Sequence, residues 1–328
     1  MSLGIGIGGM LGSGGGSGGG GTLTIGVFSD VGLTTPVTSG NYGAIVYIKA
    51  TPTDIVPTSY TFSIDGSNDK VVSQAGDTYA WTIDNIGVVS ITARATDGSG
   101  ATANATPFAF TSTLVITNSV LFDGVNDYIV AHSQIQNTQS FSVSFWFKMN
   151  NPSAITPLFS FKHYSTAGII PLTVYYNSNA IYYLSASGYN FNRNTAWVGD
   201  MLWHHFTFTY DSGTPKVMRI YVDGVELTLP FSDTFTGLFD MVVLASGYDT
   251  GRYGNINIAD FSLHDSVLTP AEITSMQTLG VTSGHEVQRY PFTEAAGTTT
   301  GSIVDVIGSQ NAELRNFVAP NGIVADTP

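Results

Sequence analysis

From Thr22 onward the chain consists mostly of short β-rich runs separated by turn residues. This alternation of strand and turn segments constrains the fold more than any other feature of the sequence. In the run 141–149, FSVSFWFKM, every second residue is apolar, the pattern of a strand that buries one face. Trp146 falls on the opposite face, which indicates that this face is covered too, as in two packed sheets. The pair Asp223-Gly224 between two such runs predicts a two-residue hairpin. The pattern predicts an all-β chain.

A single segment, 268–280, has the features of a helix. Thr269 is the expected N-cap, Pro270 suits the first helical position, and Glu272 completes a capping box. Gly280 is expected to end the helix.

Residues 22–115 contain about seven β-rich runs without a helical period, which predicts a small antiparallel sandwich. The segment 89–103, VSITARATDGSGATA, resembles the closing strands and hairpin of bacterial and phage immunoglobulin-like repeats. This resemblance implies a spacer domain without chemistry of its own.

The rest of the chain carries five landmarks, which are LFDGVNDYIV (121–130), SFSVSFWFKM (140–149), LWHHFTFTYD (202–211), MRIYVDGVEL (218–227) and IADFSLHDSVLTPAEI (258–273). In this order and spacing they resemble the laminin-G-like, concanavalin A-like jelly roll over roughly 118–318. The tail RYPFTEAAGTTTGSIVDVIGSQNAELRNF resembles an element that often precedes the jelly roll in this family, and here it follows. We therefore expect a jelly-roll domain over 116–328.

Residues 1–21 form a separate arm in which 12 of the 21 positions are glycine. This composition predicts a flexible linker. The alternative is that a partner holds the arm, with its apolar residues as anchors: Leu3, Ile5, Ile7, Met10 and Leu11. The arm has no basic residue and its apolar residues are diluted, so we do not expect a secretory signal.

Charge and composition exclude several classes of function. The chain has 24 acidic and 11 basic side chains and a net charge of −13, which argues against nucleic acid as a partner. It has no cysteine, which excludes disulfides, thiol catalysis and cysteine-ligated zinc. It also lacks an apolar run of about 18 residues, so we expect no membrane-spanning helix.

Catalytic constellations are missing as well. Glucanases of this fold usually place their paired carboxylates as E-x-D-x-E, and none of the five glutamates stands in such an arrangement. No G-x-S-x-G turn joins a strand to a helix. His204 and His205 are adjacent on a strand and point to opposite faces, so they cannot chelate one ion and are expected to be packing residues. We predict a protein that is not an enzyme.

The jelly-roll resemblance implies two kinds of ligand. Calcium would bind carboxylates at family-matching strand ends, Asp123, Asp127 and Asp260. The alternative is that Asp123 forms a turn and Asp127 caps a strand. A glycan would bind loop aromatics and polar groups, for which the candidates are Tyr189, Trp197, Tyr248, Arg252 and Tyr253. With 16 tyrosines in the chain, some are expected to be exposed without such a role.

Two functional hypotheses remain open. The first is a non-enzymatic structural protein of a phage virion, such as a capsid decoration, head fibre or tail appendage. It would be a homo-oligomer that contacts other virion proteins through its arm and host glycans or neighbouring subunits through the jelly roll. The second is a secreted bacterial adhesin or carbohydrate-binding protein at the cell surface. The absence of cysteine and of a signal favours the first.

Overall fold

The computed structural model of the protein describes residues 21–65, 70–84, 87–132, 135, 139–152, 155–162, 172–177, 180–185, 192–194, 197, 199–227, 239–247, 251–277 and 284–328. The chain divides into two compact units, Met1–Thr113 and Leu114–Pro328. Both are β-structures, which confirms the predicted fold class. The five proposed anchor residues of the arm lie outside the described residues.

The first unit is built from two sheets. In its described part the strands are β1 (Thr22–Phe28), β2 (Ser39–Asn41), β3 (Ile45–Thr53), β4 (Pro57–Asp65), β5 (Lys70–Gln74), β6 (Thr78–Thr82), β7 (Gly87–Asp97), β8 (Thr102–Asn104) and β9 (Phe108–Thr113). One sheet has the order β1-β3-β6, and the other has the order β2-β9-β7-β4-β5 with β8 paired to β7.

The core of the first unit lies between these sheets. In β4 the residues Tyr60, Phe62 and Ile64 are buried and alternate with partly exposed residues. Trp81 of one sheet meets Phe110 of the other with ring centroids 5.6 Å apart. The unit is thus a sandwich, while its resemblance to immunoglobulin-like repeats stays a prediction.

The second unit contains two larger sheets. Its described strands are β10 (Ser119–Asp123), β11 (Tyr128–His132), β12 (Phe141–Met149), β13 (Thr156–Lys162), β14 (Leu172–Asn177), β15 (Ala180–Ser185), β16 (Asn192–Asn194), β17 (Trp203–Asp211), β18 (Val217–Val222), β19 (Val225–Glu226), β20 (Met241–Leu244), β21 (Asn255–His264), β22 (Glu286–Tyr290), β23 (Ser302–Ile303), β24 (Ala312–Arg315) and β25 (Gly322–Val324). The β12 sheet has the order β19-β18-β17-β12-β21-β10-β25, with β22 paired to β21. The β13 sheet has the order β16-β15-β14-β13-β20-β11-β24-β23.

An aromatic core joins the two sheets. Phe145 of the β12 sheet lies 6.2 Å from Phe159 of the β13 sheet, measured between ring centroids. The opposite face of the β12 sheet is covered in part: Ser142 is buried there and donates a hydrogen bond of 2.7 Å to the carbonyl of Ser266, whereas Trp146, on which the prediction rested, is partly exposed.

The short helix and the hairpin confirm their sequence signals. Helix α1 spans Pro270–Met276, and Thr269 and Glu272 form the predicted capping box. The helix ends at Met276 with Gln277 as its C-cap, before the predicted end at 280, and Gly280 lies outside the described residues. In the described part of the chain, no helix is long and apolar enough to span a membrane.

The hairpin between β18 and β19 turns at the predicted pair. Asp223 and Gly224 have φ angles of 51° and 75°, the left-handed values that a tight two-residue turn requires.

The C-terminal tail contributes strands to both sheets, a placement that sequence analysis missed. Strand β22 pairs with β21 in the β12 sheet, whereas β24 pairs with β11 in the β13 sheet. Asp305 organises the loop between them: its carboxylate accepts hydrogen bonds from the backbone N–H of Arg289, Gly308 and Gln310 at 2.9, 2.9 and 3.2 Å.

A buried ion pair links the tail to the centre of the β12 sheet. Arg289 is fully buried, and its Nε and Nη2 donate to the two carboxylate oxygens of Asp260 at 2.8 and 2.7 Å. Asp260 lies at a β-bulge, since the pairing of β12 with β21 shifts between Ser144 and Trp146, and its φ is 51°.

The first prediction concerns this pair. Arg289→Met should lower the free energy of unfolding by about 3–5 kcal/mol, because the variant leaves the Asp260 carboxylate buried without its counter-charge. The double variant with Asp260→Asn should lose less than the sum of the two single losses. Urea unfolding of the full chain, followed by tryptophan fluorescence, measures all three variants.

The matched control is Arg315→Met, which removes an exposed pair with Glu313. Such a pair is worth about 0–1 kcal/mol. Equal losses in the two single arginine variants would contradict the importance of the buried pair.

Candidate functional site

A short hairpin after β20 gathers several side chains that sequence analysis singled out. Ala245 has a φ of 57° and turns the chain, after which Ser246 and Tyr253 form an isolated β-bridge. The hairpin is closed by hydrogen bonds from Gly247 N to Arg252 O at 2.9 Å and from Gly254 N to Ala245 O at 2.8 Å. We call residues 245–247 and 251–254 the Ser246 hairpin; residues 248–250 lie outside the described part.

The Ser246 hairpin packs on the face of the β13 sheet that points away from the core. Phe159 and Phe161 of β13 are in the core, so Ser160 and Lys162 face outward. Ser160 Oγ donates to the carbonyl of Ser246 at 2.6 Å. This buried hydrogen bond fixes the base of the hairpin to the sheet.

Gly254 shows how closely the hairpin approaches β13. A Cβ atom at this position would lie 2.6 Å from the carbonyl oxygen of Pro157, closer than real Cβ contacts. The hairpin can therefore reach the sheet only with glycine here.

Two of the predicted ligand-binding residues come together on this hairpin. Tyr253 stacks on Tyr128 of β11 with ring centroids 6.3 Å apart and an interplanar angle of 30°, and both side chains are half-buried. Arg252 precedes Tyr253 and is also half-buried. Sequence analysis missed Tyr128, although it directly follows the predicted metal ligand Asp127 in the DYIV motif.

The other predicted ligand-binding residues do not join this group. The ring of Trp197 is 5.5 Å from Tyr176, 5.4 Å from Phe147 and 5.2 Å from His204, so it packs against the core. Its assignment as a ligand-contacting loop residue is therefore corrected to a packing role. Tyr189 and Tyr248 lie outside the described residues.

Two of the three proposed metal ligands lie close to each other. Asp127 accepts a hydrogen bond from the backbone N–H of Asp123 at 3.2 Å through Oδ2. Its Oδ1 is buried and has no hydrogen-bond partner among the described residues. Burial raises the pKa of Asp127 to about 6. Asp123 also accepts from Val125 N at 2.7 Å, the turn contact that the alternative interpretation expected.

Asp260 is not part of this pair, contrary to the prediction. Strands β10 and β21 do pair, but their register places Asn255 opposite Asp123. Asp260 lies five residues further along β21, which is about 16 Å at the usual rise of a strand. Its carboxylate is bound by Arg289. In the described part of the chain, no group of three or more His, Cys, Asp or Glu residues could hold a metal ion.

The aspartate pair and the Ser246 hairpin lie at the same end of the unit. Asp127 precedes Tyr128, which stacks on Tyr253 of the hairpin. Asn255, which follows the hairpin, is paired with Asp123. We call the residues Asp123, Asp127 and Tyr128 together with the Ser246 hairpin the candidate site.

The two histidines have different environments, and neither forms a catalytic group. His204 is held between Asp223, 2.7 Å from Nδ1, and Asp200, 2.9 Å from Nε2. Burial alone would lower the pKa of His204, but these two carboxylates outweigh it and raise the pKa. Burial lowers the pKa of His205 to about 4.

His205 Nε2 is 2.9 Å from Ser144 Oγ, a pair that resembles an activated serine. Both side chains are buried, at 2% and 1% exposure, so no substrate reaches the hydroxyl. The expectation of packing roles agrees with this environment.

Comparison with known proteins places this fold in a family. Residues 123–274 match the family model of the concanavalin A-like lectin/glucanases superfamily. A search of curated protein sequences found no match.

Three solved structures align with parts or most of this chain. A Bacteroides ovatus protein described as a candidate carbohydrate-binding protein aligns at 15% identity over 93% of this chain and 99% of its own, with a TM-score of 0.49. The carbohydrate-binding module CBM40 of a Ruminococcus gnavus sialidase, bound to sialyllactose, aligns at 13% identity over 48% and 97%, with a TM-score of 0.37. Domains LG4-5 of the mouse laminin α1 chain align at 12% identity over 48% and 44%, with a TM-score of 0.37.

The predicted landmarks 121–130 and 258–273 stand at the two ends of the matched range, and the three landmarks between them lie within it. Both sheets of the second unit draw strands from this range. The second unit therefore contains, over residues 123–274, a domain of the concanavalin A-like lectin/glucanases superfamily.

Proposed function

We propose that the protein binds carbohydrate through the candidate site and does not hydrolyse it. The stacked pair of Tyr128 and Tyr253 carries this proposal, because half-buried aromatic rings offer a flat apolar surface with polar hydroxyl groups. Sugars present apolar C–H faces and many hydroxyls, so they suit such a surface. The rigid hairpin beside the rings limits the entropy that is lost on binding.

The environment of the aspartate pair favours binding over hydrolysis. A glycosidase needs two carboxyl groups about 5–5.5 or 6.5–9.5 Å apart that both reach the glycosidic bond. Asp127 has the raised pKa of a general acid, but its side chain is fully buried. Asp123 is engaged with the turn that it caps. Neither carboxyl group is presented to a polysaccharide.

The second prediction tests the carbohydrate site. Tyr253→Ala should weaken binding to any glycan that the full-length protein captures on an array by about tenfold, equivalent to ~1.4 kcal/mol of lost ring contact. Tyr253→Phe should retain most of the affinity, because it keeps the ring. Titration calorimetry with the captured glycan measures the three proteins.

Tyr47→Ala is the control, since Tyr47 is a half-buried tyrosine of the first unit. An array without any bound glycan, or equal affinities for Tyr253→Ala and the unaltered protein, would refute this function. Release of sugar products from a bound polysaccharide at enzymatic rates would refute the non-catalytic part.

We also propose that a calcium ion binds at Asp123 and Asp127. The unpartnered Oδ1 of Asp127 is a buried oxygen of the type that Ca²⁺ prefers. The two carboxylates are close enough that the charge of Asp123 adds to the raised pKa of Asp127. Bound calcium would supply the missing counter-charge beside Tyr128. Asp260, which is occupied by Arg289, is no longer included.

The third prediction follows from the sign of this pKa. The pKa of Asp127 is raised above 3.8, so protonation stabilises the fold below that value and this stabilisation is lost as the pH rises through about 6. At pH 7 the buried carboxylate is therefore unfavourable. Millimolar Ca²⁺ should stabilise the fold and raise the melting temperature relative to EGTA. With calcium at 100 times its dissociation constant, the free energy of unfolding should rise by about 2.7 kcal/mol.

Asp127→Asn should abolish this calcium effect, whereas Asp265→Asn, at an exposed position, should leave it intact. Thermal unfolding of the full chain at pH 7 provides the comparison. Superimposable melting curves with calcium and EGTA would leave the two aspartates with turn and strand-end roles only.

We propose that the protein is a phage virion component, with the glycine-rich arm attaching it to the particle. The support comes from the sequence: apolar residues spaced among glycines, few charged side chains, and no cysteine. The second hypothesis, a secreted adhesin, shares the same carbohydrate site. A neighbouring gene for a capsid or tail protein would distinguish the two.

The fourth prediction concerns the arm. Deletion of residues 2–21 should leave the melting temperature unchanged and abolish incorporation into particles, because the apolar contacts of the arm are lost. Replacement of Ser13 and Ser17 by threonine is the control, since it changes the arm without removing an apolar residue. Normal occupancy of the truncated protein on purified particles would rule out the anchor.

A further inference from the structure

Lys162 is a half-buried cation at the edge of the Ser246 hairpin. It is the last residue of β13 and faces away from the core, since its neighbour Phe161 faces into it. Its ammonium Nζ is 3.2 Å from the hydroxyl of Ser246. Burial lowers the pKa of Lys162, which means that its charge has lost part of its hydration.

No carboxylate of the described residues lies within ion-pair distance of Lys162 Nζ. The described part contains six ion pairs between a Lys or Arg side chain and a carboxylate, which are Lys49 with Asp77, Lys148 with Asp326, Arg219 with Glu226, Arg289 with Asp260 and with Glu286, and Arg315 with Glu313.

The backbone beside Lys162 is fixed to the sheet. Ser160 Oγ donates to the carbonyl of Ser246 at 2.6 Å and lies 3.0 Å from the hydroxyl of Thr173. Ser160 and Thr173 are fully buried. The base of the hairpin is therefore held over the sheet, with the Ser246 hydroxyl accepting from the ammonium of Lys162, and little ordering of the backbone is needed when a ligand binds.

We propose that the glycan bound at the candidate site carries a negative charge, and that Lys162 with the Ser246 hydroxyl binds its carboxylate or sulfate group. An ammonium next to a hydroxyl offers two donors to the oxygens of one anionic group, and hydrogen bonds between charged partners are about twice as strong as neutral ones. The ligand would give Lys162 the counter-charge that none of the described residues supplies.

The net charge of the chain bears on how an acidic glycan could bind at Lys162. With a net charge of −13, the protein repels polyanions at a distance, so an acidic glycan needs a local cation that is not neutralised by an acidic neighbour. Lys162 meets this requirement, and Arg252 places a second basic side chain on the same hairpin. The inference rests on the proposed carbohydrate function and specifies its ligand class.

The experiment uses the full chain on an array of matched neutral, carboxylated and sulfated glycans, such as galactan, polygalacturonate and sulfated galactan oligosaccharides and the pair lactose and sialyllactose. We expect the acidic member of a pair to bind at least tenfold more tightly, with the preference declining as NaCl is raised. The carboxylated and sulfated members show which anionic group is recognised.

Variants of Lys162 then assign the effect. Lys162→Met keeps the apolar stem and should lose the preference for acidic glycans about tenfold, without changing the affinity for neutral ones. Lys162→Arg should keep the preference. Lys216→Met is the matched control, because Lys216 lies between β17 and β18, outside the candidate site.

Each outcome bears on one of the two proposals. Equal binding of neutral and acidic glycans, or an unchanged preference in Lys162→Met, would overturn the charge inference and leave the carbohydrate function standing. Binding of no glycan at all would overturn both. A circular dichroism melt of each variant ensures that loss of binding is not loss of folding.

Discussion

The buried pair of Arg289 and Asp260 determines how the strands of the second unit align. Alternating apolar residues alone tolerate a slip of two residues, because such a slip returns every side chain to its original face. Here a two-residue slip of β22 along β21 would separate Arg289 from Asp260 and leave the Asp260 carboxylate buried without this counter-charge, which costs several kcal/mol. The pair therefore contributes more to the register of β21 than to net stability. The backbone of Arg289 is bound in turn by Asp305, so the same contact positions the loop that leads into the other sheet.

The candidate site lies at the opposite end of β21. That end of β21 lies beyond the bulge at Asp260, and its pairing with β10 places Asn255 opposite Asp123. The residue before Asn255 is Gly254, which allows the hairpin to lie against Pro157. Tyr253 is then brought within stacking distance of Tyr128. The pairing of β10 with β21 and the close approach at Gly254 thus set the geometry of this surface.

Local patterns in the sequence predicted the strands, the capping box of α1 and the turn at Asp223 well, since each depends on neighbouring residues. The predicted metal site was wrong at Asp260, because the position of that residue depends on the register between two strands. Asp123 pairs with Asn255, which is five residues from Asp260, and no pattern within a single strand reveals this register. The prediction for Trp197 failed for another reason. Its position in a loop suggested exposure, whereas aromatic residues distant in sequence pack against it. Lys162 gave no signal at all, because an unpaired charge is recognised only when its neighbours are known.

The distribution of charge links these observations to recognition. Four cations of the second unit form ion pairs with carboxylates of the same chain: Arg289, Lys148, Arg219 and Arg315. Their charges are therefore neutralised within the protein. At the candidate site the charges have different neighbours instead: the aspartates lie beside Tyr128, and Lys162 lies beside Ser246. A cation bound by the aspartates and an anionic group bound by Lys162 would therefore not compete for the same place. Together they would fix both ends of a sugar chain that lies across Tyr253, and orientation as well as composition would then decide which glycans bind.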